Sequence, residues 1–310
     1  MARGALRDET TFGVIWAADP KADPFAEETQ RTANPGFGIS PTRAFLRQAA
    51  VKAQQSPADL ASYLRLHLGI RTKQQTKYLD LDAWDRNASI VDELRLRGRK
   101  CYGGLDLAST SDLCALCWVF PDEDRSGFDL LWRLWTPVDN VAALDKRTAG
   151  AASAWVKAGI LTATPGNVAD YDYIHATVMQ DAEIFDVAEI AYDRWNSTQL
   201  VNDLTADGAP MVTMGQGYAS MSSPTKELQR LVLSGTEETP VMRHGGNPAV
   251  RWMVDNFAVA MDPAGNVKPD KANAADKIDA VAALIMALSR AIAAGAEQTS
   301  ACEDDGLMVV

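Results

Sequence analysis

Short blocks of continuous apolar residues alternate along the chain with longer stretches in which apolar residues recur every three or four positions. The first pattern predicts buried strands and the second amphipathic helices. Strands are expected at 11–18, 102–107, 113–120, 128–135, 187–193 and 211–214, with edge segments at 240–244 and 257–261. The first predicted helix starts near 24, where Asp23-Pro supplies a cap and a first-turn proline, and stops at Asn34-Pro-Gly. Ser40-Pro and Ser56-Pro open two more, the former with Phe45, Leu46, Ala49, Ala50 and Ala53 at i, i+4, i+8 spacing. Further helices are expected at 144–158, 171–184, 197–206, 225–233, 248–256 and 274–294. The last carries Ile278, Val281, Leu284, Ile285 and Leu288 as a buried stripe. Residues 297–310 read as a loose tail.

Three consecutive strands joined by short turns, 102–135, should form an antiparallel meander. The helical stretch that follows can return the 187–193 strand parallel to the first. The expected class is therefore α/β, a mixed sheet of antiparallel meander plus parallel strands flanked by helices.

One polar residue interrupts this pattern where it costs most. Asp106 lies inside the first apolar run of the meander, behind Gly103 and Gly104. A carboxylate there costs several kcal/mol unless it is paired, hydrogen-bonded or on a metal. The two glycines leave room for something to approach the backbone closely. A turn-closing role explains Asp112 well but Asp106 poorly, because Leu107 still follows it. Two other acids could meet Asp106. Asp193 ends the returning strand, and ligand sites in such sheets lie at the carboxyl ends of strands. Asp279 lies in the first turns of the last helix, beside Ile278. A plain helix-start charge, favoured by the dipole, would account equally for Asp276 and Asp279.

Three hard oxygen ligands with few histidines point to Mg²⁺ or Mn²⁺ and away from zinc. Two such ions can clamp the attacking and leaving oxygens of a phosphodiester. The three histidines, His67, His175 and His244, are far apart in sequence. Cys114-x-x-Cys117 has zinc-like spacing, but within a strand residues i and i+3 face opposite ways. Buried, reduced core cysteines are the better reading.

Net charge is −11, which argues against a uniformly basic DNA-binding surface. The charge is uneven: residues 41–100 hold 12 Lys/Arg against 6 Asp/Glu, which leaves −17 for the rest. A basic arm beside an acidic body suits phosphate contacts on one side and metal-binding carboxylates on the other, although solvated helix faces would look the same. No apolar run of about 18 residues exists to span a membrane, and residues 1–7 lack the apolar region of a secretory signal, so a cytosolic setting is expected. The chain contains no G-x-x-x-x-G-K-[ST] phosphate loop for ATP.

Six segments together resemble a known family. They are 102–112 (Tyr-Gly-Gly-Leu-Asp-Leu-Ala-Ser-Thr-Ser-Asp), 190–194 (Ile-Ala-Tyr-Asp-Arg), 224–228 (Pro-Thr-Lys-Glu-Leu), 243–248 (Arg-His-Gly-Gly-Asn-Pro), 267–271 (Val-Lys-Pro-Asp-Lys) and 277–288 (Lys-Ile-Asp-Ala-Val-Ala-Ala-Leu-Ile-Met-Ala-Leu). They resemble the C-terminal nuclease half of phage terminase large subunits, the DNA-packaging enzymes, and the likeness extends over roughly 11–294. The resemblance implies a ribonuclease-H-like fold that cuts duplex DNA with two divalent ions. By motif the family's metal acids map onto Asp106, Asp193 and Asp279, with Asp112 as a further acid of the first motif. Residues 11–95 resemble the end of the family's ATPase half and its linker, so the implied division is 1–95, a nuclease domain at 96–296, and a tail at 297–310. The implied partners are double-stranded DNA, the portal, the small terminase subunit and an ATPase part. The motor would be truncated away or supplied by another chain. The implied setting is the host cytoplasm, at the procapsid.

Three other readings compete. Residues 104–110 also resemble the first phosphate loop of actin-like sugar kinases, but the second loop and the glycine-rich adenosine motif are missing. A DDE-type recombinase or a resolvase shares the implied fold and ions. A non-catalytic docking module between DNA and portal would need no acids at all. Lys226, Arg243, His244, Lys268 and Lys271 are candidate DNA-phosphate contacts, each also readable as a surface residue kept for solubility. Trp195, near Asp193, reads as core in preference to a base-stacking platform.

Overall fold

The computed structural model describes residues 14–54, 57–70, 77–107, 113–124, 126–194, 198–274 and 276–305. They fall into two compact units, 1–77 and 78–310.

The smaller unit is helical. It contains α1 (Glu27–Ala33), α2 (Arg43–Ala53) and α3 (Pro57–His67). The Thr42 side chain caps α2 by accepting from the Phe45 N–H at 3.3 Å. Ala33, Ala50, Ala53, Tyr63, Leu68 and Ile70 form its small core. The strand expected at 11–18 is not formed over its described part, 14–18. Val14, Ile15 and Trp16 are more than half exposed, and only Ala18 is pinned, its N–H donating to Leu68 O at 2.9 Å. An apolar run without a neighbouring strand has no ladder to join.

The larger unit begins earlier than the expected boundary at 95/96, because residues 78–95 are tied into it. Helix α4 (Leu81–Asp85) is capped by Asp80, which accepts from the Ala83 N–H at 2.7 Å. The buried Asn87 side chain donates to Val232 O at 3.1 Å and accepts from the Val241 and Met242 N–H groups at 2.9 and 3.0 Å.

The sheet opens with β1 (Lys100–Asp106), β2 (Cys114–Pro121) and β3 (Phe128–Pro137), the expected antiparallel meander. Helices α5 (Val141–Arg147) and α6 (Ala151–Lys157) replace the single helix expected at 144–158. The chain breaks between them at Ala149 and Gly150, both with positive φ, 51° and 88°. Then come β4 (Thr162–Thr164), α7 (Tyr171–Ile184), β5 (Asp186–Tyr192), α8 (Thr198–Ala206) and β6 (Met211–Thr213). Helix α9 (Tyr218–Ser234) starts before the expected 225 and carries Pro224 inside it. The remaining elements are β7 (Met242–Arg243), α10 (Pro248–Asn256), β8 (Val259–Met261), β9 (Val267–Pro269) and α11 (Asp279–Asp305). The last helix starts five residues later than expected and continues through most of the stretch read as a tail.

The strand order is β4-β3-β2-β1-β5-β6, with β7 beside β3. As expected, β5 returns parallel to β1; β6 is parallel to β5. Helices cover both faces, which is why β2 is buried along nearly its whole length and reads as an unbroken apolar run. Cys117 packs into the core cluster with α9, α10 and α11, while Cys114 packs into the cluster with α7 and α8. The CxxC pair thus faces opposite ways, as a strand requires.

The two glycines of β1 are spent on close packing. A Cβ on Gly104 would lie 2.0 Å from Ala283 O and 2.6 Å from Ala287 N of α11. A Cβ on Gly103 would lie 2.6 Å from the Trp118 ring. The approach that the glycines permit is that of the last helix, whose residues 280–288 are fully buried. Among the described residues no helix is long and apolar enough to cross a membrane.

Candidate active site

Asp106 is the last residue of β1 and is 2% exposed. Its Oδ2 accepts from Lys271 Nζ at 2.5 Å and its Oδ1 from Gln216 Nε2 at 3.3 Å. Asp279 is the first residue of α11, and the approach of that helix to Gly104 brings it to the end of β1. Lys271 Nζ also lies 3.5 Å from Asp279 Oδ1. The other oxygen, Oδ2, is buried without a hydrogen-bond partner among the described residues.

The electrostatics follow from this crowding. Burial, and then the negative charge of Asp106, push the Asp279 carboxyl up to about 6, against the pull of Lys271 and Lys277. Burial alone would lower the Lys271 ammonium, but the charges of Asp106 and Asp279 outweigh it and hold the group above its ordinary range.

Asp193 stands at the neighbouring strand end. Leu105 faces Tyr192 in the parallel ladder, so Asp106 and Asp193 each follow one step beyond on adjacent strands. Asp193 is half-buried. The structure therefore brings Asp106 and Asp279 together around Lys271 and leaves Asp193 at the end of the adjacent strand. Among the described residues, no three His, Cys, Asp or Glu groups already converge as a metal cluster. Asp112 and Trp195 lie outside the described residues. Asp276 is separate from the group: it pairs with Arg147.

The five candidate phosphate contacts divide. Lys226 is exposed on α9. Lys268, on β9, holds its ammonium 5.2 Å from the centre of the Tyr218 ring. Arg243 is engaged internally, bonding Asp129 and Asp122 at 2.6 Å each, with Arg99 on the far oxygen of Asp129. His244 is 2% exposed, stacks on Trp84 at 4.1 Å, and has Nε2 2.9 Å from Trp84 O. Burial lowers its pKa, and a ring so enclosed cannot reach a DNA backbone. Lys271 is the cation of the acid site itself.

Neither the placement of Lys271 nor the Gln216 contact was read from the sequence. Both residues lie on connections, Gln216 between β6 and α9 and Lys271 between β9 and α11, where no periodicity announces direction. The one available signal was for Lys271, a cation shortly before the helix that carries Asp279. Chemically, the group offers buried hard oxygen donors with excess negative charge, including one oxygen without a partner among the described residues. That set fits a divalent cation.

The chain matches the family model described as terminase large subunit, endonuclease domain, over residues 5–295. It is 32% identical over 311 residues to protein YmfN of Escherichia coli K12, covering 96% of this chain and 67% of that protein. It is 29% identical over 293 residues to the terminase large subunit of Enterobacteria phage HK97, covering 94% of this chain and 56% of that protein. The crystal structure of the HK97 bacteriophage large terminase aligns with a TM-score of 0.64 at 29% identity, over 89% of this chain and 56% of that one. The chain thus spans between 56% and 67% of the length of these relatives.

Proposed function

Because the chain belongs to the terminase large-subunit endonuclease-domain family, and so is an endonuclease that hydrolyses phosphodiester bonds, we propose that it cuts double-stranded DNA during viral genome packaging with divalent metal ions. The observation that carries this reading is the pairing of buried Asp106 with partly buried Asp279 at the carboxyl end of β1, where Asp279 Oδ2 has no hydrogen-bond partner among the described residues.

Asp106, Asp193 and Asp279 would hold the ions, with Asp112 a further candidate from the sequence. Two Mg²⁺ or Mn²⁺ ions would supply positive charge to the phosphodiester and a water acidified for attack. The protein's own part is positioning. Strand β1 and the Gln216 amide hold the orientation of Asp106. The backbone contact of α11 with Gly104 fixes where Asp279 starts. Burial keeps both carboxylates away from bulk water, which strengthens their attraction for a cation. Lys226, exposed on α9, and Lys268 would meet DNA phosphates in this reading. In this reading the partners are duplex DNA, the portal, the small terminase subunit and an ATPase part that this chain does not contain as a phosphate-loop motif. The setting is the host cytoplasm at the procapsid.

Plasmid cleavage tests it. The purified chain should nick or cut supercoiled DNA with Mn²⁺ or Mg²⁺, stop with EDTA, and be indifferent to ATP. Cutting that survives EDTA, or robust ATP hydrolysis by the pure chain, would overturn it.

A further inference from the structure

Lys271 occupies an unusual position for a lysine. Its side chain is 40% exposed, yet its ammonium is anchored between two acids that are nearly enclosed, 2.5 Å from Asp106 and 3.5 Å from Asp279. It reaches them from the turn after β9, and part of its side chain is open to solvent. The pair it bridges has one oxygen partnerless among the described residues even with the lysine in place. One unit of positive charge therefore faces two carboxylates, a balance that leaves the site attractive to a more highly charged ion.

We propose that Lys271 is the built-in occupant of the cation site: it holds Asp106 and Asp279 together in the cation-free protein and must leave when a divalent ion enters. Binding is then an exchange of an ammonium for a metal ion, and Lys271 sets how tightly the metal is held. The displaced ammonium remains at the mouth of the site, where a phosphate oxygen of bound DNA can take the place of the carboxylates. This inference rests on the reading of the site as a divalent-cation centre.

Titration of Mn²⁺ into the full chain, without DNA, tests it by calorimetry and by the rise in melting temperature. Lys271→Met should bind Mn²⁺ about tenfold more tightly than wild type, since a competing charge a few ångströms away is gone. Lys271→Arg, which keeps the charge, should gain no affinity. Equal or weaker binding by Lys271→Met, with wild type still binding, would overturn the exchange and leave the cation reading standing. Failure of both proteins to bind Mn²⁺ would overturn both. Should Lys271→Met not fold without cation, circular dichroism of it and of Lys271→Gln decides. Recovery of helical signal on adding Mn²⁺ supports the exchange. Persistent unfolding in Mn²⁺ makes Lys271 a structural strut and overturns it.

Discussion

At the scale of single residues, the acids differ in what they do for the fold. Asp279 carries its proton up to about pH 6 in the folded chain, against an ordinary value of 3.8. Between those values the folded state holds the extra proton, so the associated stability is complete below about pH 3.8 and is lost as pH rises through about 6. The loss is on the order of 2–3 kcal/mol if the whole shift is expressed, and it falls on the cation-free protein. Asp279→Asn keeps the shape and removes the ionisation. In EDTA at pH 7 the variant should melt at or above the wild-type temperature, with the difference shrinking towards pH 4, while cleavage is nearly abolished. Asp106→Asn should likewise lose cleavage. Asp276→Asn is the control: its exposed-side pair with Arg147 is worth about 1 kcal/mol or less, so cleavage should persist. Near wild-type cutting by Asp106→Asn would remove it from the site, and a dead Asp276→Asn beside an active Asp279→Asn would move the site to the other acid of that helix start. His244 and Arg243 show the limit of reading single residues from sequence. Both belong to a polar, glycine-rich segment that looks like surface, and both are claimed by distant groups, Trp84 for one and Asp122 with Asp129 for the other.

At the scale of elements, much was legible. The meander, the parallel return of β5 and the helices at 171–184 and 248–256 follow from periodicity and capping signals. The errors share a cause: local rules overridden by distant contacts. The helix expected from 225 begins almost two turns earlier, at Tyr218, with Pro224 inside it and Met221 and Ser222 buried. Strand β9 is three residues long and exists only by pairing with β8, which no local pattern encodes. The glycines of β1 signalled a close approach correctly, without naming what approaches. Gly104→Ala would drive a methyl group into the backbone of α11, and should cost the upper end of the roughly 1–3 kcal/mol typical of overpacking, or more. It should also displace Asp279 and lower cleavage beyond what the stability loss explains. Gly98→Ala is the comparison: φ is +69° and nothing lies within 4 Å of the added carbon. Only backbone strain of about 1–2 kcal/mol is expected there, with cleavage retained. Urea melting with plasmid cleavage separates the two, and equal losses would deny Gly104 its special role.

At the scale of the whole molecule, charge and architecture divide at the same place. Residues 1–77 carry 11 Lys/Arg against 7 Asp/Glu, leaving −15 for the unit that holds the acids. That unit has its own two cores, so a chain of residues 78–310 should fold and bind Mn²⁺ with wild-type affinity. Its affinity for DNA should fall and its salt dependence flatten, by about 0.9 in log–log slope for each phosphate that the shortened chain no longer neutralises. An unchanged slope across a salt series would reduce the basic unit to a solvated surface. The division between the units falls at 77/78 because the ties that carry 78–95 into the larger unit, Asn87 above all, reach across some 150 residues. A last consequence belongs to the contact between α11 and Gly104. Because backbone abuts backbone, the spacing between strand end and helix start is set once, when the chain folds, and works like a machinist's gauge block. Little main-chain motion is left for the arrival of an ion. The speed of loading then depends on how often one lysine side chain swings aside, an event of nanoseconds for an exposed rotamer and slower for one held by two acids.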